Sequence, residues 1–258
     1  VYKYVFENGH WAGVFQFSQE GAQNFCKKAE PHSLTDLSII TSIYRPGPLG
    51  AGVDKLFLAR KAGREDDEYV IDNPWFNEVT KDTYGFIVFQ EQISNLVSRL
   101  GSGISEDDGQ KVRKLLTKKK GGDMEKLKPY VEKYYLGCEE KGVSREDAEK
   151  MWEICVHFAA YGFNASHGLS YSMITFQSAF LSTYYPDLWI EALLDVEYEL
   201  KGDTLIQELR KSNYQVLHLS DAGWKTSGWT CRSGKISPPT WVISGVSEEF
   251  SEELAGQD

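Results

Sequence analysis

The stretch "FAAYGFNASHGLSYSMITFQ" sets Asn164 and His167 three residues apart, in a short break between two apolar helical patterns. An asparagine amide offers both a donor and an acceptor, and a histidine ring can donate from either nitrogen. Together they could hold a polar ligand; singly, each would also serve as a structural hydrogen-bonder at a helix junction. In "SIYRPGPLGAG", Arg45 precedes a rigid Pro-Gly-Pro turn, where it could meet an anion or simply mark a helix stop. In "VRKLLTKKKGG", Arg113 and Lys114 share a helical pattern, and Lys118, Lys119 and Lys120 follow one turn on. Such an array can neutralise a triphosphate or a nucleic-acid backbone without reading sequence. Its alternative is a solvated helix face.

That basic strip sits on an acidic body. The 258 residues carry a net charge of −10, yet Lys111–Lys128 holds eight Lys or Arg against two acids. Acids gather elsewhere, in "REDDE", "SEDD" and "SEEFSEEL". The overall charge argues against a protein wrapped all round by nucleic acid, but it leaves room for one phosphate-facing side. Hydrophobic residues make up 41% of the chain, charged residues 26% and aromatic residues 13%, ordinary values for a folded soluble protein. No run of about 18 apolar residues and no signal peptide is present, so neither a membrane span nor secretion is expected. The chain begins with Val rather than Met, as a processed or partial chain would. Four widely spaced cysteines, without a C-x-x-C pair or a His/Cys cluster, suit reduced thiols rather than zinc ligands.

Several chemistries are missing. There is no G-x-x-x-x-G-K-[ST], G-x-G-x-x-G or G-x-S-x-G segment, so no P-loop, dinucleotide fold or nucleophile elbow is signalled. The paired acids Asp66–Asp67 and Asp107–Asp108 lie among other charges in loops or helix starts. A two-metal site needs carboxylates converging from a rigid scaffold, which this pattern does not supply.

The elements that would position these residues read mostly as helices. Ser33, Ser105 and Ser144 each precede an acid three residues on and then an apolar period, which marks helix starts. Leu34, Leu37, Ile40 and Tyr44 form one helical period, which Pro46 and Pro48 are expected to stop. Phe86–Phe89 reads as a short buried extended piece, followed by a helix that Gly101 ends. Ala148, Met151, Trp152, Cys155, Phe158 and Ala159 make one apolar face, and Gly162 is expected in the left-handed position after that helix. Two further helices divide at Pro186, with Leu169, Met173, Phe176 and Phe180 on one face of the first. Near residues 200–205 the character changes: a helix, a strand at Gln215–Leu219, then a Trp-, Ser- and Gly-rich remainder with short strand-like pieces.

In order and spacing, four of these stretches resemble the fingers region of the family C bacterial replicative DNA polymerases, the alpha subunit of DNA polymerase III. "GVFQFSQEGAQNF" is similar to that family's G/A-V-F-Q-x-E/S-S-x-G-M segment. "ITSIYRPGPLGAGVDKLFLARK" is similar to A-L-x-R-P-G-P-L…F-x-x-R-K. "YGFIVFQEQISNLVSRLGSGISEDDGQKVRKLLTKKK" is similar to Y-G-I-x-x-Y-Q-E-Q…A-D-x-L-R-R-A-M-G-K-K-K. "FAAYGFNASHGLSYSMITFQSAFLSTYYP" is similar to F-A-x-Y-G-F-N-K-S-H…Y-Q-x-x-x-L-K-x-x-Y-P. The matches are collinear over roughly residues 12–200. Departures are Lys114 for the second arginine of R-R, Leu116–Thr117 for M-G, Ala165 for the lysine of F-N-K-S-H, and His218–Leu219 for a proline pair further on. They suit a divergent member, with a phage as one source.

The resemblance implies a mainly α fold: a multi-helix fingers domain over 1–200 and a small α+β portion over 201–258 that begins the downstream, clamp-directed region. It implies a part of a DNA-directed DNA polymerase of the bacterial cytoplasm or nucleoid, with primer–template and dNTP as ligands. The family's three metal-binding aspartates lie upstream in the palm, so Mg²⁺ would be held outside this chain and the chain alone would be inactive. Its partners would be a palm-bearing segment or chain and, through the downstream region, a sliding clamp. Carried over by position, Arg45, Arg113 and Lys114 would contact the nucleotide's triphosphate or the template backbone, and Asn164 and His167 would help close the pocket around the incoming nucleotide. Gln90 and Gln92 would order that pocket, and Lys118, Lys119 and Lys120 would touch the nucleic-acid backbone. The alternatives are a non-catalytic nucleic-acid-binding module and a helical interaction protein.

Overall fold

The computed structural model describes residues 1–64, 69–117, 124–218, 221 and 228–256. After a π-helical turn at Tyr2–Glu7 come α1 (Glu20–Ala29), α2 (Leu34–Ile43), α3 (Pro46–Gly50), α4 (Val53–Lys61), α5 (Pro74–Thr80), α6 (Gln90–Leu100) and α7 (Glu106–Thr117). They are followed by α8 (Met124–Glu140), α9 (Arg145–Ala159), α10 (Ala165–Tyr184) and α11 (Pro186–Lys211). Strands β1 (Gln215–Val216), β2 (Thr230–Arg232) and β3 (Lys235–Ser237) precede α12 (Glu248–Ala255). The mainly helical fold with a small sheet near the end agrees with the sequence reading. The chain divides into two compact units, Val1–Pro31 with Met173–Asp258, and His32–Ser172.

In the His32–Ser172 unit, helix starts follow the capping signals. The Ser33 hydroxyl accepts from Asp36 N at 3.0 Å, and the Ser144 hydroxyl accepts from Asp147 N at 3.0 Å. The acids at these starts turn outward to other elements instead of closing a reciprocal box. Asp36, only 4% exposed, accepts from His32 N (2.8 Å), the Lys61 ammonium (3.0 Å) and the Tyr84 hydroxyl (2.7 Å). Asp147 accepts from Asn73 Nδ2 at 3.2 Å. At Ser105 the box does close: its hydroxyl accepts from Asp108 N at 3.2 Å, and its own amide donates to Asp108 Oδ2 at 3.4 Å.

Two glycines set how closely helices cross here. A Cβ on Gly109 of α7 would lie 2.5 Å from Ser94 O of α6, and one on Gly137 of α8 would lie 2.1 Å from Leu100 O. Buried Leu37, Ile40, Phe57, Phe86, Ile93, Leu96 and Val112 fill the space between the helices. Phe86–Phe89 runs extended and buried, as expected, and makes a parallel bridge from Phe89 to Phe163.

Three local expectations change. Pro46 and Pro48 do not only stop α2, which ends at Ile43; Pro46 opens α3, where its missing N–H costs nothing. Gly162 is not among the positive-φ glycines. It lies where a Cβ would come within 3.2 Å of Gln90 Cβ, so close approach to α6 is what it provides. In α10, Leu169, Met173, Phe176 and Phe180 do share a face, but it points mostly to solvent: Leu169, Met173 and Phe180 are 45%, 47% and 41% exposed, and only Phe176 is half-buried, its ring 5.4 Å from that of Tyr2. The inward face carries Gly168, Ser172, Thr175, Ser178, Ala179 and Ser182, small residues that let backbones approach.

In the unit formed by Val1–Pro31 and Met173–Asp258, α11 bends at Lys201 (φ −139°, ψ 18°), where the composition changes. The sheet has order β1-β3-β2, with β1 parallel and β2 antiparallel to β3. Ile190, Leu194, Leu205 and Leu209 of α11 pack with Ala12, Trp229, Cys231 and Ile236 into one core. The strand expected at Gln215–Leu219 is realised at Gln215–Val216; Leu219 lies outside the described residues.

Candidate functional site

The first turn of α6 organises the residues singled out in the sequence. The extended run before it pairs with the segment before α10: Phe163 N donates to Val88 O at 3.0 Å, and Gln90 N donates to Phe163 O at 2.9 Å. This short bridge brings the start of α6 beside the start of α10. The side chains of Gln90, Glu91 and Gln92 then leave in three directions, as successive helical residues must.

Gln92 points inward. Its Oε1 accepts from Val88 N (2.9 Å) and Phe89 N (2.8 Å), and its Nε2 donates to Val79 O (3.0 Å) and Thr83 Oγ1 (2.8 Å). With 9% exposure it acts from within, fixing the extended run that carries Gln90. Gln90 points toward α7, where its Oε1 accepts from the Arg113 guanidinium. Arg113 also donates to Gln110 Oε1 at 3.0 Å, and Gln110 in turn donates to Ser94 Oγ at 3.1 Å. Ser94 and Gly109 form one rung of the crossing, Gln90 and Arg113 the next, so the glycine contact sets the reach of the arginine.

Glu91 points toward α10. Its Oε1 accepts from Asn164 Nδ2 at 2.8 Å and its Oε2 from Ala165 N at 3.0 Å. Asn164 Oδ1 accepts from His167 N at 2.7 Å, so Asn164 caps α10. The exposed His167 ring lies 5.4 Å from the Phe163 ring and 4.1 Å from the Tyr171 ring. Across Phe163, the Arg45 guanidinium stands 4.5 Å over the ring, while its Nε and Nη2 donate to Ser42 O (2.6 Å) and Tyr161 O (2.8 Å). Burial lowers the Arg45 pKa from its usual value, and a guanidinium keeps its charge regardless. Arg45, Gln90, Arg113, Asn164 and His167 thus gather around one Phe89–Phe163 bridge, from segments 116 residues apart in the case of Arg45 and Tyr161.

The family pattern for the bacterial DNA polymerase III alpha subunit finger domain matches residues 1–141, more than half of the 258 residues. The chain belongs to that finger-domain family. It is similar to the DNA polymerase III subunit alpha of Campylobacter jejuni, 38% identical over 220 residues, which is 84% of this chain and 18% of that one. It is also similar to the subunit of the same name from Aquifex aeolicus, 33% identical over 254 residues, 96% of this chain and 21% of that one. A third such subunit, from Halalkalibacterium halodurans, is 32% identical over 211 residues, 81% of this chain and 18% of that one. The finger chain therefore spans about a fifth of the length of these relatives.

Within the finger domain, Lys114 is exposed on α7, next to Arg113 but outside the bonded cluster. Lys118, Lys119 and Lys120 lie outside the described residues. Among the described residues no three His, Cys, Asp or Glu side chains come together as metal ligands. Nor is any helix among them long and apolar enough to cross a membrane.

Sequence reasoning passed over Glu91, Phe163 and Tyr171, all within the quoted segments. An acid in a first helical turn carries a local signal, since it favours free N–H groups. Tyr171 follows His167 at i+4, the spacing that places two rings side by side on a helix. Phe163 carried no signal of its own, because its role comes from partners far away in the chain.

Proposed function

We propose that this cluster positions the triphosphate of an incoming dNTP beside the primer–template for template-directed DNA synthesis in the bacterial cytoplasm or nucleoid. The observation that carries the reading is the convergence of Arg45, Gln90, Arg113, Asn164 and His167 on one bridge. Their chemistry suits the task. Transfer of a nucleotidyl group spreads negative charge over phosphate oxygens, and preorganised cationic donors stabilise that charge without rearranging. Arg113 is held by two glutamine oxygens, which orient its fork without neutralising it. The exposed His167 and Tyr171 rings, 4.1 Å apart and tilted by 48°, offer an aromatic surface next to the donors.

The carboxylates that hold Mg²⁺ are assigned to a palm outside this chain, so the finger chain is inactive alone and acts with a palm-bearing segment or chain. By their place in the sequence, Lys118–Lys120 are assigned to contact with the nucleic-acid backbone. Arg113→Ala, assayed by primer extension with the palm present, should lower kcat/KM for dNTP about a hundredfold. Unchanged extension in that variant would remove Arg113 from the site. Replacing Lys118–Lys120 with alanine should weaken primer–template binding and flatten its salt dependence. Binding that is insensitive to both salt and these lysines would favour a helical interaction protein instead.

A further inference from the structure

We infer that Glu91 is a positioning residue: its carboxylate locks the Asn164 amide and the first N–H of α10 in the one arrangement that presents His167. The inference rests on the nucleotide-site reading proposed for this cluster. A carboxylate only accepts hydrogen bonds. With Oε2 taken by Ala165 N (3.0 Å), Oε1 can bind only a donor, and it takes Asn164 Nδ2 at 2.8 Å. That choice decides which way the Asn164 amide faces. Its Oδ1 is left toward His167 N, at 2.7 Å, and closes the cap of α10. The His167 ring then follows from the backbone it stands on, between Phe163 and Tyr171. Because Glu91 adjoins Gln90, the same helical turn that holds Arg113 also holds α10. Two walls of the site share one support.

The donor–acceptor logic gives a test that loss of packing cannot imitate. In Glu91→Gln the new amide has one acceptor and one donor. If its oxygen stays on Ala165 N, its NH₂ faces Asn164 Nδ2, donor against donor. Turning the Asn164 amide relieves this, but then Nδ2 faces His167 N and the cap is lost. Adding Asn164→Asp restores all three bonds, with only the bond between positions 91 and 164 reversed in polarity, since an aspartate accepts both from the glutamine NH₂ and from His167 N, and aspartate is a good cap. Side-chain size changes little at either position.

The experiment is steady-state primer extension with a palm-bearing partner present, measuring KM for dNTP and kcat for Glu91→Gln, Arg113→Ala and His167→Ala, with thermal midpoints for each, and hydrogen exchange at the His167 amide in the parent, Glu91→Gln and the double variant. The expected result is an increase in KM of about tenfold for Glu91→Gln, a thermal midpoint close to the parent, loss of exchange protection at the His167 amide in Glu91→Gln, and recovery of that protection in the double variant. If Arg113→Ala and His167→Ala raise KM while Glu91→Gln does not, the positioning role is overturned and the site reading stands. If Glu91→Gln leaves the His167 amide protected, or the double variant fails to restore its protection, the donor–acceptor account is overturned. If none of the variants changes KM, the site reading itself fails.

Discussion

Two carboxylates in first turns of helices do the same bonding in different parts of the molecule and serve different ends. Glu91, in α6, accepts from Ala165 N and Asn164 Nδ2. Asp187, in α11, accepts from Ser233 N at 2.8 Å, Gly234 N at 3.3 Å and the Cys231 thiol at 3.3 Å. What Asp187 grips is the two-residue turn joining β2 to β3. Both turn residues have positive φ, +50° at Ser233 and +76° at Gly234, as a hairpin turn with the right twist requires. Behind that turn stand Cys231 and Ile236, both fully buried in the core with Trp229 and Leu194. Next to Glu91 stand exposed polar side chains, His167 above all. A clamp backed by apolar core contributes mainly to stability. A clamp backed by solvent-facing polar groups contributes mainly to where those groups point.

The contrast can be broken most directly by removing each carboxylate. Asp187→Ala leaves two turn amides and a thiol without their charged acceptor and should cost about 2 kcal/mol of unfolding free energy in denaturant titration. Glu91→Ala should cost about 1 kcal/mol or less, because water reaches a half-exposed helix start, while its effect on dNTP KM is the larger one. Equal stability losses in the two variants would erase the distinction.

A smaller and more graded effect is expected from pH. Burial pushes the Asp187 pKa up, but the bonds from Ser233 N, the Cys231 thiol and Gly234 N, with nearby Arg232, outweigh it and hold the value below the usual carboxylate range. Asp36 behaves alike: burial raises it, and His32 N, Tyr84 and Lys61 bring it down further. A depressed folded-state pKa contributes stability above the unfolded value, about 3.9 for Asp, and that stability is lost as pH falls through the folded value. Stability should therefore decline below about pH 4, and the decline should be shallower in Asp187→Ala. At the alkaline end, burial pushes Cys155 and Cys231 up to about 12, so stability that is complete below their unfolded value, near 8.5, should fall between there and pH 12. An acid limb that is identical in Asp187→Ala and the parent would remove Asp187 from this account.

How much of this the sequence showed depends on the range of the interaction. The starts at Ser33, Ser105 and Ser144 were readable because a cap reaches only three residues. The Asn164 to His167 spacing carries the same local pattern, yet read as a pair of possible ligand contacts it concealed a cap. Gly162 looked like a helix terminator because a glycine after a helix often is one; its partner, Gln90, is distant in the chain. The outward apolar face of α10 shows the limit of periodicity, which finds a face but not which way it points. Small residues won the inward side because they let α10 approach so closely that a Cβ on Gly168 would meet Ser38 Oγ at 2.5 Å. The gathering of Arg45, Arg113 and His167 was invisible to spacing and came from resemblance alone.

The smallest effect sharpens the comparison from the other side. If Asp187 exists to hold a strained turn, easing the strain should reduce the need for it. Ser233 sits at φ +50°, where an L side chain is disfavoured and glycine is not. A Ser233→Gly variant should therefore gain about 0.5 kcal/mol, the strain relief being partly offset by the extra freedom of glycine in the unfolded chain. In an Asp187→Ala background the gain should be larger, about 1 kcal/mol, because the turn there lacks its external support. The measurement is a double-mutant cycle in denaturant, with the coupling between positions 187 and 233 as the quantity of interest. Strict additivity would mean that Asp187 binds the turn without stabilising its backbone geometry. The clamp would then contribute hydrogen bonds alone, and its difference from Glu91 would lie only in the core behind it.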